Sequence, residues 1–255
     1  MSNDVFAKHG IEHLSVSHVN TFITEPAKWC AKYLFGMQSD ASPAAFRGTV
    51  VDEAIGVYLS SEKPSKKNCT NVAMKRYRAL SENAGLDPHE EKNSKERHLV
   101  PHFFNCAAEF YDTFGKPTSY QEQITMDVGL SVPMIGFIDL RYEGIVRDIK
   151  TVGRMPNEVP NTVKRQLSLY ATATDCLPIV DYICVSKTKA DVKSVVIDDV
   201  EANFDDLLRG AKAIERVLSI GDKNEIADMY FPNLDSWMWS DKEKLFAKSI
   251  WSKNE

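Results

Sequence analysis

Asp139, Asp148 and Lys150 stand in GFIDLRYEGIVRDIKT, residues 136–151, at positions where a buried strand would otherwise carry Val or Ile. Two converging carboxylates repel unless a cation sits between them, and hard oxygen donors select Mg²⁺ or Mn²⁺. A lysine beside such a cation can position a water nucleophile or stabilise the charge developing on a phosphorane, as phosphodiester hydrolysis requires. The competing reading is a salt bridge between Lys150 and either aspartate on a solvated strand face. Taken alone an Asp-x-Lys is common enough for that reading to win. Its setting among Ile, Val and Phe shifts the balance toward a site.

The elements around this stretch follow from periodicity. ITMDVGLSVPMIGFIDL alternates from Ile124 onward, which predicts strands over about 120–130, 131–141 and 144–150, with turns near Gly129 and Glu143-Gly144. Alternation puts Asp148 and Lys150 on one face of the third strand, and pairing of neighbours brings Asp139 to the same end of the sheet. Upstream, SVSHVNTFITEPAKWCAKYLFG offers Ser15 or Ser17 as an N-cap and Pro26 as a first-turn residue, so two short helices should meet at a corner. AAFRGTVVDEAIGVYLS predicts an amphipathic helix over about 44–60, in which Gly48 costs roughly 1 kcal/mol unless something approaches the backbone there. Helices are expected over about 70–84 and 94–114. VPNTVKRQLSLYATATD and FDDLLRGAKAIERVLSI also read as helices, and 179–187 and 192–200 as strands. Helices, meander, helix, strands and helix together predict an α/β or α+β domain with a mixed sheet between helices.

The totals narrow the class. The chain has 255 residues, 43% hydrophobic and 26% charged, with a formal net charge of −5, an ordinary globular composition whose overall field does not collect nucleic acid. Binding to DNA must then come from a local basic patch. Five scattered cysteines, Cys30, Cys69, Cys106, Cys176 and Cys184, include no CxxC pair and read as reduced thiols. No run approaches the ~20 apolar residues of a membrane span, and no charged segment followed by an apolar one opens the chain, so a cytoplasmic protein with no membrane partner is expected.

GFIDL, VRDIKT and the downstream RQLSLY resemble the PD-(D/E)XK nuclease superfamily, and within it the RecB-type exonuclease branch of bacterial recombination enzymes, CRISPR-associated adaptation nucleases and many phage genomes. That branch shows a Ser-rich first helix, a Gly-containing helix ending in a metal-binding His, a G-x-x-D strand, a D-x-K-T strand and a Q-x-x-x-Y helix. The resemblance spans about residues 15 to 200; each motif is weak alone, and their shared order makes it specific. It implies a restriction-endonuclease-like core in a single nuclease domain over 1–255, with a helical insertion at about 61–115 and a C-terminal packing tail at about 225–255. It further implies that Asp139 and Asp148 ligate Mg²⁺ or Mn²⁺, with the Ile149 backbone carbonyl as a third donor, and that Lys150 is the catalytic lysine. Gln166 and Tyr170, one helical turn apart, would orient substrate or the lysine; an ordinary helix surface with a half-buried Tyr is the alternative.

Two departures bear on these expectations. Where the family usually has His, RGTVVDEAI carries Asp52, which can ligate the same hard cations as an oxygen donor; a solvated helix surface is the alternative. Many relatives carry an iron–sulfur cluster, but Glu25-Pro26 replaces the usual Cys-Pro and the tail has no cysteine, so no iron–sulfur cluster is expected. DNA is the implied partner, alongside a recombination or single-strand-binding protein, in a bacterial or phage-infected cytoplasm. Arg47, Arg154, Lys164, Arg165 and Ser17 are the expected DNA contacts. A second basic run, Lys63, Lys66, Lys67, Lys75, Arg76 and Arg78, reads either as phosphate contacts or as solvated surface. The expected activity is a metal-dependent deoxyribonuclease, an exonuclease of recombination, repair or replication. Its rival is a degenerate relative acting as a DNA-binding or protein-interaction module.

Overall fold

Near residue 119 the chain passes from helices into sheet, as the change of hydrophobic period predicts. The computed structural model describes residues 4–40, 42–186 and 189–252. Two compact units are distinguished: Met1–Asp40, Ile124–Gly136 and Asp199–Glu255 form the first, and Ala41–Gln123 with Phe137–Asp198 the second.

The second unit holds α4 (Pro43–Ser60), α5 (Lys66–Asn83) and α6 (Glu91–Tyr111), then most of β2 (Ser119–Met126) and β3 (Met134–Tyr142), whose residues 124–126 and 134–136 count with the first unit, then β4 (Ile145–Val152), α7 (Asn161–Thr174), β5 (Leu177–Val185) and β6 (Ala190–Val196). β3 and β4 form an antiparallel hairpin that sets Leu140 opposite Arg147 and Tyr142 opposite Ile145. Gly144 turns the corner at φ +68°, a left-handed conformation that glycine adopts without a Cβ clash. β4 runs parallel to β5, with α7 as the crossover such pairs require, and β5 is antiparallel to β6. β2 pairs with β3, and β1 (Leu14–Ser15) lies parallel to the start of β3, with Leu14 opposite Met134, completing a mixed six-stranded sheet among the described residues. The first predicted strand proves shorter than its alternation suggested, because Val128 and Leu130 fall beyond the end of β2.

The core of this unit joins Val50, Ile55, Tyr77, Phe103, Phe104 and Tyr111 of the three helices to Leu140, Ile149 and Ile183 of the sheet. Burying each such side chain contributes about 1.5–3 kcal/mol. Gly48 finds its reason here: a Cβ on it would lie 3.3 Å from Thr151 Oγ1, so its absence lets α4 lie close against β4.

The first unit holds α1 (Val5–Lys8), α2 (Val16–Thr24), α3 (Pro26–Tyr33), α8 (Val200–Leu218), α9 (Lys223–Ala227) and α10 (Asp241–Trp251). Ser15 caps α2 by accepting from the His18 N–H, and Pro26 opens α3. Of the tail's tryptophans, Trp239 packs with Ala27, Ala31 and Met37, and Trp251 donates to the Ala227 carbonyl at 3.0 Å, whereas Trp237 is 92% exposed. Lys28 and the buried Glu243 pair at 2.7 Å beside that cluster. Among the described residues, no helix is long and apolar enough to cross a membrane.

Candidate active site

β4 divides its charges by face, as the two-residue period requires. Asp148 is fully buried, and Lys150 on the same face reaches back to it. Lys150 Nζ donates to Oδ1 at 2.9 Å and lies 2.7 Å from Oδ2, the second an ion-pair contact without hydrogen-bond geometry. The opposite face sends Arg147 to Asp181 of β5, with Nη1 at 2.8 Å from both oxygens, beneath the Phe114 ring at 4.1 Å. Tyr111 donates to Asp181 at 2.8 Å and Ser194 at 2.5 Å, so this buried carboxylate has four short polar contacts.

Asp139 enters from β3. The next pair in the β3–β4 register would set it against Asp148, but the ladder ends at Leu140 and Arg147. Asp139 Oδ2 instead accepts the Ile149 N–H at 2.7 Å, so a side chain takes the place of the next backbone bond. Where the strands part, the two carboxylates come together beside the half-buried lysine.

Asp52 joins them from α4. Its Oδ2 accepts from Gln121 Nε2 at 2.6 Å, and the same nitrogen donates to Asp139 Oδ1 at 3.1 Å. One amide thus bridges two carboxylates. Asp52 Oδ1 is buried and has no hydrogen-bond partner among the described residues. Gln121 holds φ +48°, in a region that costs a non-glycine residue about 1–2 kcal/mol. Its neighbour Tyr120 lies over Gly56 of α4, where a Cβ would come within 2.0 Å of Cζ, and its hydroxyl donates to the Asp52 carbonyl at 3.3 Å. Sequence reasoning missed Gln121, Tyr120 and Gly56; nothing in a lone QE pair signals a left-handed backbone.

Crowding sets the charges. Burial, then Asp148, pushes Asp52 up to about 7. Burial, then Asp148 and Asp52, raises Asp139 well above the carboxylate range. Burial raises Asp148 as well, against the pull of Lys150. For Lys150 burial acts downward, but Asp148 and Asp139 outweigh it and the net shift is upward, so the lysine stays cationic at neutral pH. As a cation it donates hydrogen bonds and accepts none. Three carboxylates that resist ionising together, one with an orphaned buried oxygen, form an oxygen-only set that suits a hard divalent cation. Among the described residues, no three Asp, Glu, His or Cys side chains already stand at metal-holding separation, so a cation would have to draw them closer.

The remaining predicted residues are distributed as follows. Gln166 Nε2 donates to the Tyr170 hydroxyl at 2.8 Å across one turn of α7. Tyr170 is buried, and its phenol is raised by burial and then by Asp148, which places it near the carboxylates. Arg47 is 3% exposed, paired with Glu96, bonded to the Thr151 carbonyl at 3.2 Å and stacked on Phe103. Arg165 is buried in α7, Lys164 is half-buried and Arg154 is exposed just beyond β4. Ser17, exposed on α2, belongs to the first unit, with its hydroxyl 2.8 Å from that of Ser15. In the second basic run Lys66 pairs with Asp112 and Arg76 with Glu53.

The family model of the PD-(D/E)XK nuclease superfamily matches residues 13–233. No curated protein matches the chain. Among solved structures, one described as the crystal structure of SSO0001 aligns over 73% of this chain and 92% of its own, at 14% identity and a TM-score of 0.33.

Proposed function

This chain belongs to the PD-(D/E)XK nuclease superfamily, and from that membership we propose a metal-dependent deoxyribonuclease, an exonuclease of the RecB-type branch working in recombination, repair or replication. The observation that carries the proposal is the buried meeting of Asp52 and Asp139, bridged by Gln121, with Asp139 bonded to the Ile149 N–H between Asp148 and Lys150, which pair with each other. A purely structural salt bridge needs one carboxylate, and the other two raise the energy of this site unless a cation is used there.

Asp52, Asp139, Asp148 and the Ile149 carbonyl would hold Mg²⁺ or Mn²⁺, which when bound supplies Lewis acidity toward a phosphoryl oxygen and acidifies water. The chain's own contribution follows from its charges. Asp148 fixes the Lys150 ammonium at 2.7–2.9 Å, which aims a permanent positive charge at the reacting phosphodiester and stabilises the negative charge of its transition state. Gln166 holds the Tyr170 hydroxyl through their 2.8 Å bond, and together they orient the lysine or the strand being cut. Arg154 and Lys164 are proposed to contact phosphates, giving sequence-independent, salt-dependent binding. Arg47 and Arg165, being buried, would act through the positions of α4 and α7.

End-labelled linear DNA and covalently closed circular DNA, each with Mg²⁺, Mn²⁺ or EDTA, test the reading. Progressive loss of the linear substrate with either metal, sparing of circles and silence in EDTA are expected. Cutting of circles would overturn the exonuclease assignment. No cleavage of either substrate would overturn the nuclease and leave a DNA-binding or protein-interaction module.

A further inference from the structure

Gln121 hydrogen-bonds two of the three carboxylates, and nothing in the proposed chemistry uses it. Its Nε2 lies 2.6 Å from Asp52 Oδ2 and 3.1 Å from Asp139 Oδ1. A small divalent cation shared by those same oxygens would stand at about 2.0–2.1 Å from each for Mg²⁺, in competition with the amide for them. The backbone is committed to this placement. Gln121 takes φ +48°, where Gly or Asn is the usual occupant, and Tyr120 is seated on the bare Cα of Gly56 with its hydroxyl on the Asp52 carbonyl. A strained backbone that delivers a side chain to a charged cluster is characteristic of functional positions.

We propose that Gln121 is a placeholder for the cation: its amide holds Asp52 and Asp139 together in the metal-free protein and is displaced when a divalent ion binds. The inference rests on the reading of this cluster as a metal site. Two acidic side chains are tied to one neutral donor, so two of the ion's three carboxyl ligands are held near each other before the metal arrives. The cost is a competition, because the hydrogen bonds to two carboxylates must be given up as the ion enters. Gln121 is thus a positioning residue that sets metal affinity.

Mn²⁺ binding by calorimetry, on the full chain without DNA, tests this in the wild type, Gln121→Gly and Gln121→Leu. Glycine suits the left-handed backbone and leucine keeps the bulk without the donor, so a folding defect in one does not decide the result. With the competitor gone, Mn²⁺ should bind about tenfold tighter to Gln121→Gly, the change that one charge-assisted hydrogen bond represents. Thermal melts should show the variant losing more midpoint in EDTA than in saturating Mn²⁺. Equal or weaker Mn²⁺ binding in both variants, with the wild type binding normally, would overturn the placeholder while leaving the metal site intact. No Mn²⁺ binding in any of the three would overturn both.

Discussion

Gly56→Ala is a substitution that a helix should welcome, and the structure says it will do harm. In α4 the exchange gains about 0.8–1 kcal/mol of helix propensity. Against that, the new methyl would sit 2.0–2.2 Å from Cζ, Cε1 and Cε2 of Tyr120, well inside contact distance, so the ring must withdraw by more than an ångström. Overpacking of this kind costs about 1–3 kcal/mol, and losing the Tyr120 hydroxyl bond to the Asp52 carbonyl adds about 1 kcal/mol. The net destabilisation is about 1–3 kcal/mol, or roughly 2–12 °C of melting temperature for a chain of this size. Thermal and urea melts of Gly56→Ala, Tyr120→Ala and the double variant read it directly. In the Tyr120→Ala background the same Gly56→Ala should become stabilising by about 1 kcal/mol. Gly56→Ala as stable as wild type, or a penalty that persists without the ring, would refute the packing argument.

Two further outcomes follow from buried charges. Arg147→Ala leaves Asp181 without its cation and should cost about 3–5 kcal/mol, whereas Arg147→Met with Asp181→Leu should cost much less, a double-mutant comparison readable in urea melts. His18 is held neutral, its pKa lowered to about 4 by burial and then by His13 and Lys32, with the Tyr33 ring tilted against it at a centroid distance of 3.5 Å. Its folded pKa lies below the unfolded value near 6.5, so its stability contribution is complete above pH 6.5 and is lost as pH falls toward 4. That loss is about 3 kcal/mol, and His18→Asn should flatten the pH profile of stability in that window; an unchanged profile would contradict the assignment.

What could be read from the residues was what depends on local spacing. Asp148 and Lys150 share a face because they are two apart, and the Glu143-Gly144 turn folds Asp139 back toward them. Gln166 and Tyr170 meet because four residues make one helical turn. Charge, by contrast, does not announce its burial. Arg47 counted as a basic group in sequence, yet it spends its guanidinium on Glu96, Thr151 and Phe103. Lys66 and Arg76 likewise found acids 46 and 23 residues away, Asp112 and Glu53. The Gly56–Tyr120–Gln121 arrangement was illegible for the same reason. It joins a helix to a strand more than 60 residues later, and its signature is a backbone angle that the residue type does not predict.

The most direct test of the account measures Mn²⁺ binding and cleavage of end-labelled linear DNA side by side in wild type, Lys150→Ala and Asp148→Asn. If the carboxylates hold the ion and the lysine serves the chemistry, Lys150→Ala binds Mn²⁺ but cleaves about 10²–10³-fold more slowly, and Asp148→Asn loses both. Wild-type cleavage by Lys150→Ala would contradict it.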